Sequence, residues 1–266
     1  MSLAICVAGA TGWVGKSLCL AVSEAHDLRL LGAVSRSHKG RSLKDVISDS
    51  SLDLTISGSV IEAFETPFDV LVDYTSAAAV KANVMSAIRK GIHVVIGSSG
   101  LNEQDFAEIN QAGLNQKVGV IATGNFALTA VLLQRFACEA AKYLPQWEII
   151  DYASDAKEDA PSGTARELAV RLAEIRKPEV THPIERTIGE KESRGTTLNG
   201  SQIHSIRLPS YVLGVDAIFG SKDERLTIRH DAGSGAGPYI QGTLLAIRKV
   251  THHVGLVRGL DRIMNN

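Results

Sequence analysis

One stretch near the start of the chain decides the fold class: Val7-Ala8-Gly9-Ala10-Thr11-Gly12-Trp13-Val14-Gly15. Its glycines follow the spacing GxxGxxG and stand between a short apolar run, residues 3–8, and a helical pattern, residues 15–24. Glycine permits a tight turn and a close approach of backbone to ligand, and a helix N-terminus offers free N–H groups at the positive end of its dipole. The stretch therefore predicts a dinucleotide-binding loop, with a glycine turn that binds no ligand as the alternative.

The rest of the first half alternates short apolar runs with helical patterns. The runs predict strands over residues 29–34, 70–74, 94–97 and 119–122, and the periodic segments predict helices over 77–90 and 103–113. Strands that alternate with helices are typical of βαβ units and of a parallel sheet. We therefore predict an α/β fold that begins with a Rossmann-type parallel sheet.

The second half has a different pattern. It predicts helices over residues 127–143, 164–175 and 239–251, and strands over 147–152, 203–206, 212–219 and 225–230. These strands belong to a more open sheet, so we predict a second, α+β domain with a mixed sheet. A polar stretch, residues 186–199, predicts a mobile loop, and closure of such a loop over a site would exclude water from it.

The composition is that of an ordinary soluble protein. The chain has 266 residues, of which 44% are hydrophobic and 21% charged, and its formal net charge of −1 gives no indication of binding to nucleic acid or to a membrane. Its three cysteines are widely spaced and predict neither a disulfide framework nor a zinc site. No cluster has metal-ligand spacing, and no apolar run has the length of a signal peptide or membrane span. We expect a cytoplasmic protein without a metal.

The end of the second predicted strand bears on the choice of cofactor. It carries Ser35, Arg36, Ser37 and Lys39, about where a dinucleotide domain contacts the adenosine ribose. No carboxylate lies there to bind a ribose 2′-hydroxyl, whereas serine, arginine and lysine favour a 2′-phosphate through charge-assisted hydrogen bonds. We predict that NADPH is preferred over NADH; a solvated basic loop is the alternative.

Polar turns also follow later strands of the first half. Ligands of open α/β sheets bind at the carboxyl ends of strands, so two of these turns predict contacts to the nicotinamide half of the cofactor. A third turn, residues 124–126, predicts a hinge between domains. The cofactor-binding residues predicted in the first two turns and in the glycine loop are Tyr74, Thr75, Gly97, Ser98, Ser99, Gly9, Thr11, Gly12, Trp13, Val14 and Gly15.

The richest chemistry lies in the second half, in Asp159-Ala160-Pro161-Ser162-Gly163-Thr164-Ala165. This stretch predicts a turn that opens a helix, with Ser162 as the N-cap residue and the N–H groups of Gly163 and Thr164 directed outward. Such a helix start is a site for a carboxylate. Lys157, just upstream, adds a cation and a candidate proton donor.

These motifs together resemble one family, the dihydrodipicolinate (4-hydroxy-tetrahydrodipicolinate) reductases of bacterial lysine biosynthesis. The resemblance covers nearly the whole chain, and the most specific motif is Lys157 followed by residues 159–165. The other stretches that carry it are residues 9–15, 73–75, 96–100, 124–126 and 225–230.

The resemblance implies a NAD(P)H-dependent reductase of a cyclic imine or enamine. A dinucleotide-binding domain, residues 1–125, would be completed by residues 237–266, and residues 126–236 would bind the substrate and build a homotetramer. Lys157, Ser162, Gly163 and Thr164 would contact the carboxylates of a small imino-acid substrate. Gly124, Asn125 and Phe126 would join residues 97–100 in holding the nicotinamide.

The chain also departs from the family pattern. The family has two histidines, a proton donor and a substrate ligand, at the positions of Ala153 and Ser154. Residues 213–216 replace a Gly-Glu-His pattern, and the glycine-rich residues 233–237 lack an expected arginine. Alanine and serine are not useful acids at neutral pH. We therefore expect a divergent member that lacks the catalytic histidines.

Three interpretations stay open. In the first, the protein is a divergent 4-hydroxy-tetrahydrodipicolinate reductase in which Lys157, with Asp155 or a water molecule, supplies the proton. In the second, it is a paralogue that reduces another imine, and the missing arginine favours a substrate with one carboxylate. In the third, it is a non-catalytic regulator that binds NADPH, although such a protein has no need of Lys157 and the anion-binding turn.

A few isolated polar residues are weaker candidates. His204 and His230 lie in predicted strands, where a histidine is more often structural, yet either would replace the missing acid if it faced the cofactor. Arg207 and Asp216 are candidates for a substrate contact and a helper acid, and ordinary ion pairing is the alternative for both.

Overall fold

The computed structural model describes residues 2–49 and 52–264. Its internal contacts divide the chain into two compact units. The first comprises Met1–Leu128 and Ala236–Asn266, and the second comprises Thr129–Gly235. The chain thus leaves the first unit once and returns to it for its last segment.

The first unit is built on a six-stranded parallel sheet with the order β11-β5-β4-β3-β1-β2. Its strands are β1 Leu3–Ala8, β2 Leu28–Val34, β3 Val70–Asp73, β4 His93–Ile96, β5 Gly119–Ala122 and β11 Gly255–Arg258. The inner strands are mostly apolar because helices cover both faces of such a sheet; the exceptions are Asp73 at the end of β3 and His93 at the start of β4. The predicted parallel sheet is confirmed.

The helices of this unit are α1 Trp13–Glu24, α2 Leu43–Ile47, α3 Val60–Ala63, α4 Val80–Arg89, α5 Glu103–Gln116 and α8 Gly237–Val250. α5 begins at a capping box formed by Asn102 and Asp105. α8 packs on α1, β4 and β5. Gly242 of α8 lies so close to the backbone at Phe126 that a Cβ at this position would be 2.0 Å from the carbonyl oxygen of Phe126.

The second unit contains a five-stranded mixed sheet with the order β10-β9-β6-β8-β7. Its strands are β6 Gln146–Ala153, β7 Thr196–Leu198, β8 Ser201–Arg207, β9 Leu213–Ser221 and β10 Glu224–Ala232, and its helices are α6 Leu128–Ala141 and α7 Gly163–Ile175. β6 pairs in parallel with β8 and antiparallel with β9. The predicted mixed sheet is confirmed.

One face of this sheet packs on α6 and α7. Trp147 and Ile149 alternate along β6 with Glu148 and Ile150, and only the first two join the buried cluster with Leu168 and its neighbours. Glu148 and Ile150 lie on the opposite face. Polar residues of β6 can therefore share a site with α7 only if they lie on the same face as Trp147 and Ile149.

The polar stretch 186–199 is more regular than the predicted loop. Its last residues form β7, which pairs antiparallel with β8 through a turn at Asn199 and Gly200. Both turn residues have positive φ, 50° and 86°, as a tight two-residue hairpin requires. The dipeptide Asn-Gly is typical of such a hairpin, and residues 196–198 form a strand within the stretch that was predicted to be a mobile loop.

Helices long and apolar enough to cross a membrane are absent from the part of the chain that the structure describes.

Leu168 tests the core of the second unit. Its side chain has no exposed surface, so Leu168→Ala should lower the free energy of unfolding by about 2–5 kcal/mol, because a cavity remains. Urea unfolding followed by Trp147 fluorescence in a Trp13→Phe background measures this. The control is Val170→Ala on the same helix, whose side chain is 46% exposed and whose loss should cost within about 0.5 kcal/mol. Equal effects would contradict this assignment of the core.

Candidate functional site

The glycine loop of the first unit joins β1 to α1. Gly12 is the N-cap residue of α1, and its N–H donates to the carbonyl of Gly9 over 2.9 Å. A Cβ at Gly15 would lie 2.0 Å from the carbonyl oxygen of Gly9, and one at Gly9 would lie 2.2 Å from that of Tyr74. Within the described residues, no acceptor is found for the N–H groups of Trp13 and Val14. Only glycine fits this turn, which leaves donors available for an anion.

A hydroxyl cluster lies at the end of β2. The buried Ser35 hydroxyl is 2.7 Å from that of Thr11, and Ser37 Oγ is 2.9 Å from His38 Nδ1. The two cations that were predicted here differ in their surroundings. Lys39 Nζ binds Glu62 over 2.8 Å, whereas the exposed Arg36 makes no side-chain contact with another described residue.

Arg36 is therefore the cation at this strand end that is available for a ligand.

The turns after β3 and β4 are organised by a carboxylate that the sequence analysis did not single out. Asp73 has no exposed surface. Its Oδ1 accepts from the N–H and hydroxyl of Thr75 and, over 2.6 Å, from the hydroxyl of Ser98, while Oδ2 accepts from Asn83. A polar residue at the end of an apolar run was the available signal. Asp73 holds two of the predicted cofactor-binding residues in place.

Tyr74 joins this group from the opposite side. Its hydroxyl lies 2.7 Å from that of Thr243 on α8, and burial raises the pKa of the phenol well above its usual range. A Cβ at Gly97 would lie 2.3 Å from the Tyr74 ring. Gly97 thus allows the turn after β4 to pass close to the Tyr74 ring. Ser99 in the same turn is exposed.

The segment after β5 forms a compact turn. Thr123 Oγ1 donates to the carbonyl of Asn125, and Asn125 Oδ1 accepts from the N–H of Ala127 over 2.8 Å. Phe126 is buried, with its ring centroid 5.9 Å from that of Tyr74, and Gly124 is exposed. In the first unit, the predicted residues of the β3, β4 and β5 ends therefore lie at one edge of the sheet.

The second unit contains the predicted anion-binding turn. Ser162 is the N-cap residue of α7, as predicted, and accepts from the N–H of Ala165. Gly163 is exposed, and the N–H groups of Gly163 and Thr164 have no acceptor among the described residues. The N–H of Ser162 is already used, because it donates to Asp151 over 2.9 Å. The turn thus offers two backbone donors and the positive end of α7.

Lys157 lies on the loop that leads to this turn. Its Nζ is 2.6 Å from Asp159 Oδ1, with a third of the side chain exposed, and the lysine holds the pKa of Asp159 below its ordinary value. Asp155 is exposed and makes no side-chain contact with the described residues. Ala153 is buried, and Ser154 Oγ accepts from the N–H of Ala156. In this unit Lys157 is thus a partly exposed cation on the loop that precedes the helix start.

The weaker candidates are held in structural contacts. His204 Nε2 lies 2.7 Å from Glu148 on the face of the sheet away from the helices, and Arg194 also pairs with Glu148. Asp216 accepts from the hydroxyl of Tyr152 over 2.9 Å. The described residues contain no group of three or more His, Cys, Asp or Glu placed to hold a metal ion.

Two family profiles match consecutive parts of the chain. The profile described as dihydrodipicolinate reductase, N-terminus, matches residues 3–126, and the profile described as dihydrodipicolinate reductase, C-terminus, matches residues 129–264. The chain belongs to the dihydrodipicolinate reductase family. The resemblance that the motifs predicted is confirmed.

Individual relatives agree with the profiles. The chain is 39% identical over 261 residues to 4-hydroxy-tetrahydrodipicolinate reductase of Desulfitobacterium hafniense, with 97% of each chain covered. It is 38% identical over 264 residues to the reductase of the same name from Syntrophomonas wolfei, with 98% of each covered. These alignments span both units and the turn at residues 157–164.

A solved structure of a dihydrodipicolinate reductase agrees with this assignment. The dipicolinate-bound dihydrodipicolinate reductase from Paenisporosarcina sp. TG-14 superposes with a TM-score of 0.87 at 27% identity, covering 99% of this chain and 100% of that one. An amine dehydrogenase from Mycobacterium smegmatis reaches a TM-score of 0.69 at 13% identity, covering 98% of this chain and 96% of that one, and shares the fold alone.

His230 is a buried histidine whose protonation is linked to the unfolding of this reductase. Its Nδ1 lies 3.0 Å from Thr129 Oγ1, and burial lowers its pKa below 6.5. The native state therefore binds fewer protons than the unfolded state as the pH falls below about 6.5, so stability is lost on acidification. We expect His230→Gln to flatten this loss below about pH 6.5, measured by urea unfolding. His182→Gln, an exposed change in the same unit, should leave it intact; an unchanged slope in His230→Gln would count against the assignment.

Proposed function

We propose that the protein is a NAD(P)H-dependent reductase of a cyclic imine or enamine, with 4-hydroxy-tetrahydrodipicolinate as its substrate. The observation that carries this proposal is the anion-binding turn. It places two unpartnered N–H groups at the start of α7 and Lys157 on the preceding loop, in a chain 39% identical to a reductase of that name. Residues 1–125 with 237–266 would bind the cofactor, and residues 126–236 the substrate.

The residues of the first unit fit a dinucleotide. The glycine loop has no room for a Cβ at Gly9 or Gly15 and keeps donors free at the start of α1. In this proposal the loop holds the pyrophosphate, and the turns after β3, β4 and β5 hold the nicotinamide. The bound cofactor would supply the hydride. Asp73 and Asn125 would keep these turns in one conformation through their hydrogen bonds.

The substrate would be oriented by its carboxylates. A carboxylate at the start of α7 accepts from the N–H groups of Gly163 and Thr164 and is favoured by the helix dipole. Ser162 and Thr164 add hydroxyl groups. Lys157 would exchange its contact with Asp159 for one with the substrate.

Reduction of a C=N or C=C bond adds a hydride to one atom and a proton to the other. Lys157 Nζ is the proton donor that we propose, with Asp155 as its helper, since alanine and serine occupy the positions of the family histidines. A positioned general acid typically contributes about 10²–10⁴-fold to the rate.

We also propose a homotetramer and a cytoplasmic location. The helix-free face of the mixed sheet carries a groove of about 770 Å³ lined by Glu148, Ile150, His204 and Ile218 among others, a surface that fits association of copies. Cys6 and Cys19 are buried thiols, as expected in a reducing compartment. Sedimentation of the purified protein tests the assembly.

Lys157 provides the test of the reaction. Steady-state oxidation of NADPH with freshly generated 4-hydroxy-tetrahydrodipicolinate should be robust in the wild type and about 10²–10⁴-fold slower in Lys157→Ala, because a general acid and a carboxylate ligand are removed. Lys142→Ala, which removes a surface lysine paired with Glu139 on α6, is the matched control and should keep full activity.

The same assay separates the alternatives. Wild type that binds NADPH but does not reduce this substrate contradicts the proposed substrate. Turnover of another cyclic imine would then identify a paralogue, and a monocarboxylate would agree with the lack of arginine in residues 233–237. Tight binding of NADPH without turnover of any member of an imino-acid panel would identify a regulator.

Arg36 tests the preference for NADPH. With Lys39 held by Glu62, Arg36 is the cation that we expect to contact the 2′-phosphate together with Ser35 and Ser37. Arg36→Met should raise the KM for NADPH about tenfold or more, as expected for loss of a charge-assisted contact, and leave the KM for NADH nearly unchanged. Arg89→Met on α4, whose side chain contacts Ser86, is the control. Equal use of both cofactors by the wild type would contradict the preference.

A further inference from the structure

A buried ion pair lies behind the anion-binding turn. Asp151 on β6 has no exposed surface, and its Oδ2 is 2.8 Å from Nη2 of Arg207, whose side chain is 17% exposed. The two residues lie on neighbouring parallel strands, where Asp151 is in register with Ser205 and Ala153 with Arg207. Both therefore lie near the carboxyl ends of their strands, at the edge from which the turn begins.

This pair binds the backbone of the turn at two points. Asp151 Oδ2 accepts from the N–H of Ser162 over 2.9 Å, and Arg207 Nη2 donates to the carbonyl of Asp159 over 2.7 Å. The Ser205 hydroxyl also donates to Asp151 Oδ2. The turn is thus held at Ser162 through its backbone N–H and at Asp159 through its backbone carbonyl.

A second arginine completes the arrangement. Arg166 donates from Nε to the carbonyl of Pro161 over 2.9 Å and from Nη2 to that of Ala160 over 3.1 Å. Three consecutive carbonyl oxygens, of residues 159–161, therefore face guanidinium groups. Carbonyl oxygens repel an anion, so this arrangement favours a carboxylate at the N–H groups of Gly163 and Thr164.

Arg207 is not itself a ligand for the substrate. Nη1 donates to the carbonyl of Ile206 and Nη2 is shared between Asp151 and Asp159, while Nε is buried without a partner among the described residues. Although burial opposes it, hydrogen bonds from Ser162 and Arg207 hold the pKa of Asp151 below its ordinary value. A charged pair of this kind is costly to break, because the remaining charge stays buried and uncompensated.

We propose that Asp151 and Arg207 are positioning residues, which hold residues 157–164 in the conformation that binds a carboxylate of the substrate. The identity of that substrate rests on the proposed function; the positioning of the turn does not. Their contribution is to binding of the dicarboxylate, and the cofactor is held by other residues.

Three variants test the proposal. Arg207→Met removes the guanidinium, Arg207→Lys keeps the charge without the planar fork, and Arg225→Met removes an exposed arginine of β10 as the matched control. Titration calorimetry with dipicolinate, in the presence of NADPH, should give a Kd raised about 10²-fold in Arg207→Met and about tenfold in Arg207→Lys, since small misplacements of a binding group have effects of this size. The Kd for NADPH should be unchanged in all three.

Kinetics with the substrate give a second signature. Because Arg207 does not touch the reacting atoms, KM for the substrate should rise with the Kd for dipicolinate while kcat changes less than threefold. A fall in kcat alone, or an equal loss in Arg225→Met, would overturn the proposal.

Amide hydrogen exchange of the apo protein tests the positioning independently of any ligand. Peptides spanning residues 157–165 should exchange at least tenfold faster in Arg207→Lys than in the wild type, and those spanning α6 should not change. Unchanged exchange would overturn the proposal even if dipicolinate binding were weakened. If the wild-type protein neither binds dipicolinate nor turns over the substrate, the proposed function is contradicted. The hydrogen-exchange result then tests by itself whether Arg207 positions the turn.

Discussion

The first N–H groups of a helix have no carbonyl partner, and both candidate sites depend on this constraint. In the first unit, the start of α1 is kept open by glycines that allow the chain to turn without any Cβ. In the second unit, the start of α7 is capped by Ser162, and the next two N–H groups are left without a partner among the described residues. In the proposed function each helix start is an anion site made of backbone, and the side chains around it supply orientation and charge.

Each unit also has a buried carboxylate behind a turn of its candidate site. Asp73 and Asp151 each have no exposed surface, and each sits at or near the carboxyl end of a strand. A buried charge is costly unless it is paired and hydrogen-bonded. Asp73 is compensated by hydroxyl and amide donors, whereas Asp151 also binds a guanidinium. Each carboxylate links backbone and side-chain donors of the turn to the end of a strand.

The chemistry proposed for the second unit has to work without the family histidines. In the structure His204 binds Glu148 on the other face of the sheet from α7, and His230 Nδ1 contacts Thr129. Lys157 is partly exposed and, among the described residues, its ammonium pairs with Asp159 alone. A cation with one exchangeable partner can bind an incoming carboxylate at little structural cost.

The sequence by itself determined the parallel sheet, the glycine loop, the cap at Ser162 and the family. Each of these follows from residues that are neighbours in the chain, since apolar runs, turn glycines and N-caps act over a few positions. The Asn199-Gly200 hairpin was also local and could have been predicted. β11 could not be predicted, because its four residues lie at a half-exposed edge of the sheet and so short a run shows no clear hydrophobic period.

Only the tertiary structure decided which charges are available. Lys39 and Arg36 look equivalent in sequence, yet Glu62, 23 positions away, binds only the lysine. In the sequence Arg207 is a candidate anion ligand, but in the structure it binds Asp151, which is 56 positions away on a neighbouring parallel strand. Partners so distant in sequence are brought together by the pairing of strands, and no local pattern encodes that pairing.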